Sequence, residues 1–231
     1  MVTPEFSEAF FVGAYWDARL ESAGASADRL ARFLAAIHDI DPLFATWFAT
    51  GASRTDALRR PLKISPEALA QELRPIGRQP AFSVSMWNGQ RDEVGLRVTC
   101  GAAPRTPKLG NAVVLDVPRF AVDSNRSYTR AKGLALMQSL VSCWEPTWAT
   151  FSSSSLRELQ RAGPREVLVG WCTYLSDARR PRRLKLPPGA TAPDAPAGLL
   201  IVLDGGPGSL DPLVTVAIRE ALGKAVRPPG L

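Results

Sequence analysis

Residues 82–100, FSVSMWNGQRDEVGLRVTC, alternate between apolar and other side chains on both sides of a turn signal at Asn88-Gly89. Successive side chains of a β-strand point to opposite faces, so each half of the stretch has one apolar and one polar face. The apolar positions are Phe82, Val84, Met86, Val94, Leu96, Val98 and Cys100. This pattern predicts an antiparallel hairpin in a sheet with one side covered.

Five further strands are predicted from runs rich in aliphatic and aromatic residues. They are residues 9–16 (AFFVGAYW), 112–117, 148–151, 166–175 (EVLVGWCTYL) and 198–204 (GLLIVLD). A Pro-rich stretch at 187–197 precedes the last strand and is interpreted as a loop, because too few residues follow it for a second domain. We therefore expect a single domain over residues 1–231.

Helices are predicted where a capping residue precedes an apolar stripe at helical spacing. Ser26 is the predicted cap of the first helix, and Asp41-Pro42 opens a second helix that Gly51 ends. The remaining helices are predicted after Ser65, over 134–144, over 156–161 behind a Ser155–Glu158 capping box, and after Asp211-Pro212. Since strands and helices do not alternate regularly, the predicted fold class is α+β, a mostly antiparallel β-sheet packed by amphipathic helices.

The composition is that of an ordinary globular protein, with 231 residues, 28 Lys and Arg, 22 Asp and Glu, and a net charge of +6. No apolar run is long enough for a transmembrane helix. The first eleven residues include two Glu and no basic residue, which argues against a secretory signal and predicts a cytoplasmic location. The three cysteines have no CxxC spacing and are expected to be reduced thiols.

Catalytic patterns are sparse, and we expect no enzymatic activity, no cofactor and no metal site. His38 is the only histidine, and near the apolar stripe of the first helix it is expected to be half-buried and structural. None of the five lysines follows an acidic residue by two positions, as common restriction-type nucleases require. Gly205–Gly208 joins a strand to a helix, but without a following Lys-Ser/Thr it favours a tight connection over a phosphate loop. An enzyme would have to depend on His38 or on this loop.

Charge is unevenly distributed along the chain. Residues 1–48 contain three basic and seven acidic side chains and have a net charge of −4, whereas the other residues have a net charge of +10. An acidic element on a basic body suits docking to a cationic partner, although a solvated helix face would have the same composition. The basic run at 179–185 could contact phosphate, which leaves a nucleic-acid-binding module as the alternative function.

Several motifs in order along the chain resemble the immunity protein 52 family of bacterial polymorphic toxin systems. The motifs are AYWDARLES, ADRLARFLAAI, IDPLFATWF, Trp87-Asn88-Gly89, VVLDVP, WEPTW, VGWCTYLS, LPPG and the final IVLD strand. The resemblance implies an α+β inhibitor encoded beside a toxin gene, often one with a restriction-endonuclease-like nuclease domain. Such a protein would bind its toxin and prevent self-killing. Immunity proteins against nucleases are usually acidic, so charge mimicry by this basic chain would be confined to its first 48 residues.

Two groups of residues follow from this reading as expectations. The expected toxin contacts are Asp17, Glu21, Asp39 and Asp41, through charge, and Trp87 and Asn88, through the hairpin turn. The residues of the family motifs that are expected to be structural are Tyr15, Trp16, Arg19, Gly89, Gly170, Trp171 and Tyr174. Inhibition is expected to be steric, with an aromatic patch as anchor.

Overall fold

The computed structural model describes residues 8–90, 94–102, 110–118, 129–163, 166–195 and 197–225. Its strands are β1 (Phe10–Trp16), β2 (Phe48–Ala49), β3 (Arg74–Pro75), β4 (Phe82–Trp87), β5 (Gly95–Cys100), β6 (Asn111–Val117), β7 (Trp148–Ser153), β8 (Cys172–Ser176), β9 (Ala190–Thr191), β10 (Asp194–Ala195) and β11 (Gly198–Leu203). Its α-helices are α1 (Ala23–His38), α2 (Arg54–Leu58), α3 (Pro66–Glu72), α4 (Arg130–Trp144), α5 (Ser154–Gln160) and α6 (Pro212–Ala225).

The strands form one sheet in the order β10-β11-β8-β7-β1-β6-β5-β4-β2, with β3 beside β4 and β9 beside β11. Every pairing is antiparallel, and β1 is central, with Val12 opposite both Leu115 of β6 and Phe151 of β7. The predicted fold class, a mostly antiparallel α+β fold, is confirmed. The predicted hairpin pairs β4 with β5 from Phe82–Cys100 to Trp87–Gly95.

The side of the sheet that carries Val12 is covered by helices, and we call it the covered face. Helix α4 packs on β1 and β7, and α1 packs on α4. The alternate positions of β4, β5 and β6 on this face are buried except Phe82, which is half-buried. The buried apolar ones are Val84, Met86, Leu96, Val98, Cys100, Val113, Leu115 and Val117. They join one core cluster with the apolar stripe of α1, as the hairpin pattern predicts.

The other side of the same three strands is partly exposed, and with Tyr15 of β1 we call it the open face. It comprises Ser83, Ser85, Arg97, Thr99, Ala112, Val114, Asp116 and Tyr15, which are half-buried or exposed. Further along the sheet on this side, α5 follows β7 and packs against α6. The sheet is therefore covered on one side along these strands and accessible on the other.

Two predicted starts of helices were wrong. Helix α1 is capped by Ser22, whose side chain accepts from the Ala25 amide, while Ser26 is buried inside the helix. Helix α5 is capped by Ser153 instead of Ser155 and covers 154–160. In each case an earlier serine in extended conformation accepts the helix amide, and the predicted cap belongs to the helix itself.

The second predicted helix was also wrong in extent. Asp41 caps it as predicted, by accepting from the Leu43 amide, but only one 3₁₀ turn forms at Pro42–Phe44. The following residues are drawn into the sheet, because Phe48 pairs with Trp87 and Ala49 with Met86. Tertiary pairing therefore overrides the local helical pattern.

The long strand predicted over 166–175 is shorter, since β8 begins only at Cys172. The side-chain amide of Gln160 accepts from the Val169 N–H at 3.0 Å and donates to its carbonyl at 2.6 Å. The Gln160 side chain therefore satisfies the two backbone hydrogen-bonding groups of Val169 that a neighbouring strand would otherwise pair. Gly170 then passes against β7, where a Cβ would lie 2.0 Å from the Phe151 carbonyl oxygen. Helix α4 contains the predicted apolar stripe from Leu134 to Trp144 and begins at Arg130.

Candidate partner-binding surfaces

The carboxylate of Glu21 lies in a cluster of ion pairs at the start of α1. Its Oε1 is 3.0 Å from Arg19 Nε and 2.9 Å from Arg29 Nε, and its side chain is only 8% exposed. Both arginines also approach Glu145, Arg29 at 2.9 Å and Arg19 at 3.8 Å. Burial lowers the pKa of Arg19, and the charge of Glu21 opposes that shift. The cluster joins α1 to the end of α4.

Asp41 and Asn88, two other expected contacts, are engaged inside the protein. Asp41 Oδ2 is 2.5 Å from Lys132 Nζ, and its side chain is 2% exposed. Asn88 is 1% exposed and donates to the Leu43 carbonyl at 3.2 Å. A role for these residues in binding stays a prediction, but their polar atoms stabilise the chain between α1 and the hairpin.

Asp17, Asp39 and Trp87 lie at the surface. Asp17 is 77% exposed on its side chain and approaches Arg179 at 3.5 Å. Asp39 is exposed where α1 ends, and in the described part of the chain it forms no ion pair. Trp87 is half-buried between Phe48 and the Arg54 guanidinium, which lies 5.5 Å from its ring centroid. It borders a depression of about 610 Å³ beside α2.

The residues of the family motifs that were expected to be structural have intramolecular contacts. Trp16 is 7% exposed and stacks on Trp144, with 5.4 Å between ring centroids, while Arg19 covers it and donates to the Trp144 carbonyl. Trp171 is fully buried and donates to the Gly205 carbonyl, and Tyr174 donates to the Ala197 carbonyl.

Two glycines of the motifs are required by close approach. Gly89 has a φ of +78°, and a Cβ there would lie 2.4 Å from the Phe48 ring. Gly170 contacts the β7 backbone as described above. Both positions exclude larger side chains because the neighbouring atoms are already in contact.

Tyr15 is half-buried and lies on the open face. Its ring stacks on Trp148 with 4.1 Å between centroids, and the Arg157 guanidinium of α5 is 3.5 Å from its hydroxyl. Gly13 makes room for it, because a Cβ at that position would lie 2.7 Å from the Tyr15 hydroxyl oxygen. Arg97 and Asp116 form an ion pair at 3.0 Å on the same face.

The residues weighed for catalysis do not converge. His38 is exposed, so the expectation that it is half-buried was wrong; the last position of α1 turns it away from the core. In the Gly205–Gly208 loop, the Gly206 amide already donates a hydrogen bond within the chain, to Ser209 Oγ. No group of three or more His, Cys, Asp and Glu residues in the described ranges could hold a metal ion. The described helices include none that is long and apolar enough to cross a membrane.

The basic run at 179–185 contains both engaged and exposed residues. Arg179 pairs with Asp17, and Pro181 is buried. Arg180, Arg182, Arg183 and Lys185 are exposed. Binding of nucleic acid at this loop stays a prediction.

Residues 8–204 match the family described as Immunity protein 52. The chain belongs to the immunity protein 52 family. Its fold is similar to that of the solved structure titled "Pseudomonas aeruginosa T6SS protein PA0821", with a TM-score of 0.59 at 12% sequence identity. The similarity covers 94% of this chain and 73% of the Pseudomonas chain. No curated protein matches the sequence significantly.

In this member of the immunity protein 52 family, sequence reasoning missed the residues of the open face. Arg97 occupies a polar position of a predicted strand, and Asp116 lies in the motif VVLDVP, so a weak signal was present for both. Arg157 had no such signal, because only the packing of α5 brings it to Tyr15.

Proposed function

We propose that this chain is an immunity protein that binds a cognate bacterial toxin and neutralises it by direct protein contact. The observation that carries the proposal is the match to the Immunity protein 52 family over residues 8–204. The site of action is the cytoplasm of the cell that makes the toxin, and the toxin is a restriction-endonuclease-like nuclease. The protein acts by binding and not by catalysis.

The mechanism is steric. A large sheet braced on one face by helices presents a rigid surface, and a rigid surface loses little conformational entropy when it binds. Asp17 and Trp87 remain candidate contacts because they are accessible, whereas the accessible Asp39 lies at the end of α1, on the side of the sheet away from the open face. Glu21, Asp41 and Asn88 hold the scaffold together through the contacts described above.

The proposal is tested by calorimetric titration with the toxin domain encoded beside the gene for this chain. We expect nanomolar affinity, equivalent to about −12 kcal/mol. A parallel assay follows DNA cleavage by the toxin as this chain is added. Complete inhibition at one molar equivalent, independent of incubation time, supports a stoichiometric binder.

Other outcomes would change the conclusion. Inhibition by a small fraction of an equivalent that grows with time would indicate an enzyme that modifies the toxin. Tight binding to a toxin that cleaves no nucleic acid would support the immunity function and contradict the proposal that the toxin is a nuclease. Absence of both binding and inhibition would overturn the proposed function for this pair.

A further inference from the structure

The open face has groups arranged for contact with a second molecule. Arg97 lies opposite Ser85 of β4 and Val114 of β6, and its side chain is 62% exposed. Val114 in turn lies opposite Gly13 of β1. Neither Ser85 nor Val114 is long enough to cover the guanidinium, so the arginine stays accessible on this side of the sheet.

Arg157 is fixed in place at the border of this surface. Its guanidinium stacks over the Phe11 ring at 4.7 Å from the centroid, and Nη2 reaches the Tyr15 hydroxyl at 3.5 Å. Because stacking on an aromatic ring already restricts the side chain, little further entropy is lost when a partner binds it. In the described part of the chain it has no carboxylate partner.

Arg97 and Arg157 belong to one electrostatic unit with Tyr15. Burial raises the pKa of the Tyr15 phenol, and the charges of Arg157 and Arg97 oppose this rise. Both guanidinium groups are therefore within electrostatic reach of the same hydroxyl. Asp116, which pairs with Arg97, is the carboxylate that acts on this phenol in the opposite sense.

Within the described ranges, the two arginines use only part of their hydrogen-bonding capacity. A guanidinium has five N–H donors. Arg97 directs Nη2 to both oxygens of Asp116, at 3.0 and 3.2 Å. Arg157 directs Nη2 to Tyr15. Among the described residues, two arginines face one aspartate, so the centre of the open face has an excess positive charge and unpaired donors there, which suit a carboxylate.

We propose that the open face is the surface through which this chain binds its toxin, and that it receives an acidic segment of the toxin whose carboxylate pairs with Arg157 and Arg97. This proposal rests on the proposed function and names the surface that performs it. Tyr15 and Arg157 are the expected anchors, since tyrosine and arginine dominate the energetics of protein interfaces.

The chemistry of the face favours a protein carboxylate over nucleic acid. Asp116 lies at its centre with 41% of its side chain exposed, and a phosphate backbone brings repeated negative charges with no donor to satisfy this carboxylate. Tyr15 already stacks on Trp148, so its ring is not a free platform for bases. A protein segment can pair its carboxylate with Arg157 and place a donor near Asp116.

The test compares charge reversals on the two sides of the sheet. Arg157→Glu and Arg97→Glu are titrated against the toxin domain encoded beside the gene, with Arg32→Glu as the matched control. Arg32 is an exposed arginine of α1, on the covered side. We expect roughly 100-fold weaker binding for Arg157→Glu, roughly 10-fold for Arg97→Glu and less than about twofold for Arg32→Glu.

The outcomes separate the surface from the function. If the wild-type protein binds the toxin and both open-face variants bind with an affinity within about twofold of it, the proposed surface is wrong and the proposed function stands. Absence of wild-type binding overturns the function and the surface with it. Micromolar binding of a fluorescent DNA duplex that Arg157→Glu abolishes, with toxin affinity unchanged, would assign the face to nucleic acid instead.

If Arg157→Glu fails to fold, protection of introduced cysteines from labelling tests the same surface. Ser85→Cys places a thiol at an exposed position of the open face, and Ala35→Cys places one at an exposed position of α1. Saturating toxin should slow labelling of Ser85→Cys by a maleimide at least tenfold and leave Ala35→Cys unchanged. Equal labelling of Ser85→Cys with and without bound toxin would overturn the proposal.

Discussion

Strands β4, β5 and β6 have two faces with opposite chemistry, although the residues of both faces alternate along the same backbone. Val98 and Val113 on the covered face are buried at 1% and 0% exposure. Arg97 and Ser85 on the open face are exposed, one position away from buried residues. The pleat therefore separates the residues that stabilise the fold from those that a partner can reach, and a substitution should affect stability or binding according to its register.

The largest expected effect on stability is at the covered face. Trp144 is fully buried, and its ring packs on Trp16. We expect Trp144→Ala to lower the free energy of unfolding by about 3–5 kcal/mol, because it leaves a large cavity. Ser85→Ala on the open face should change it by less than about 0.5 kcal/mol. Chemical denaturation of both variants measures the contrast, and equal losses would contradict it.

The second prediction concerns thiol reactivity, since all three cysteines are buried with free thiols. Burial raises the pKa of Cys172 to about 12 and raises the pKa of Cys100 and Cys143 as well. At pH 8 an ordinary thiol is about one quarter ionised, whereas Cys172 is ionised to about one part in ten thousand.

We therefore expect Ser85→Cys on the open face to react with a thiol reagent about a thousandfold faster than Cys172. The rates are measured by mass spectrometry of labelled peptides from the folded protein. In denaturant all four cysteines should react alike. Rapid labelling of Cys172 in the folded protein would show that the covered face opens.

A smaller effect distinguishes the buried carboxylates from the exposed ones. Glu21→Ala removes the partner of Arg19 and Arg29, which are themselves only partly exposed, and should cost about 2 kcal/mol of stability. Asp39→Ala, which breaks no ion pair in the described part of the chain, should cost less than about 0.5 kcal/mol. Urea unfolding of the two variants gives the comparison. If the Glu21→Ala variant is as stable as wild type, the structural role of Glu21 is contradicted.

The smallest effect is the pH dependence of the open face itself. Burial raises the pKa of Asp116, and Arg97 opposes this rise. Because its pKa is higher in the folded than in the unfolded protein, its contribution to stability is full below the unfolded pKa. That contribution is lost as the pH rises through the folded pKa.

Asp116→Asn carries no charge at either pH. Its Tm relative to wild type should therefore increase between pH 3 and pH 7. Thermal unfolding at the two pH values measures the difference. The opposite trend would mean that the pair with Arg97 outweighs the cost of burial.

Local sequence patterns determined those parts of the molecule that depend on neighbours in the chain. The alternation at 82–100 predicted both strands of the hairpin and their covered side, because side-chain direction in a strand has a period of two residues. The caps at Asp41 and Ser65 were predicted for the same reason, since a cap involves amides two or three residues away. The ordered motifs also identified the family.

Which charged residues are buried, paired or exposed follows from the packing of distant parts of the chain. Asp41 pairs with Lys132, 91 positions further along the chain. Arg29, which pairs with Glu21, also pairs with Glu145, 116 positions away. Arg157 meets Tyr15 across 142 positions. No period or spacing in the sequence encodes such pairs, because they exist only once the strands and helices have packed. Of the seven acidic residues among the first 48, Glu21 and Asp41 therefore contribute their charge to the scaffold.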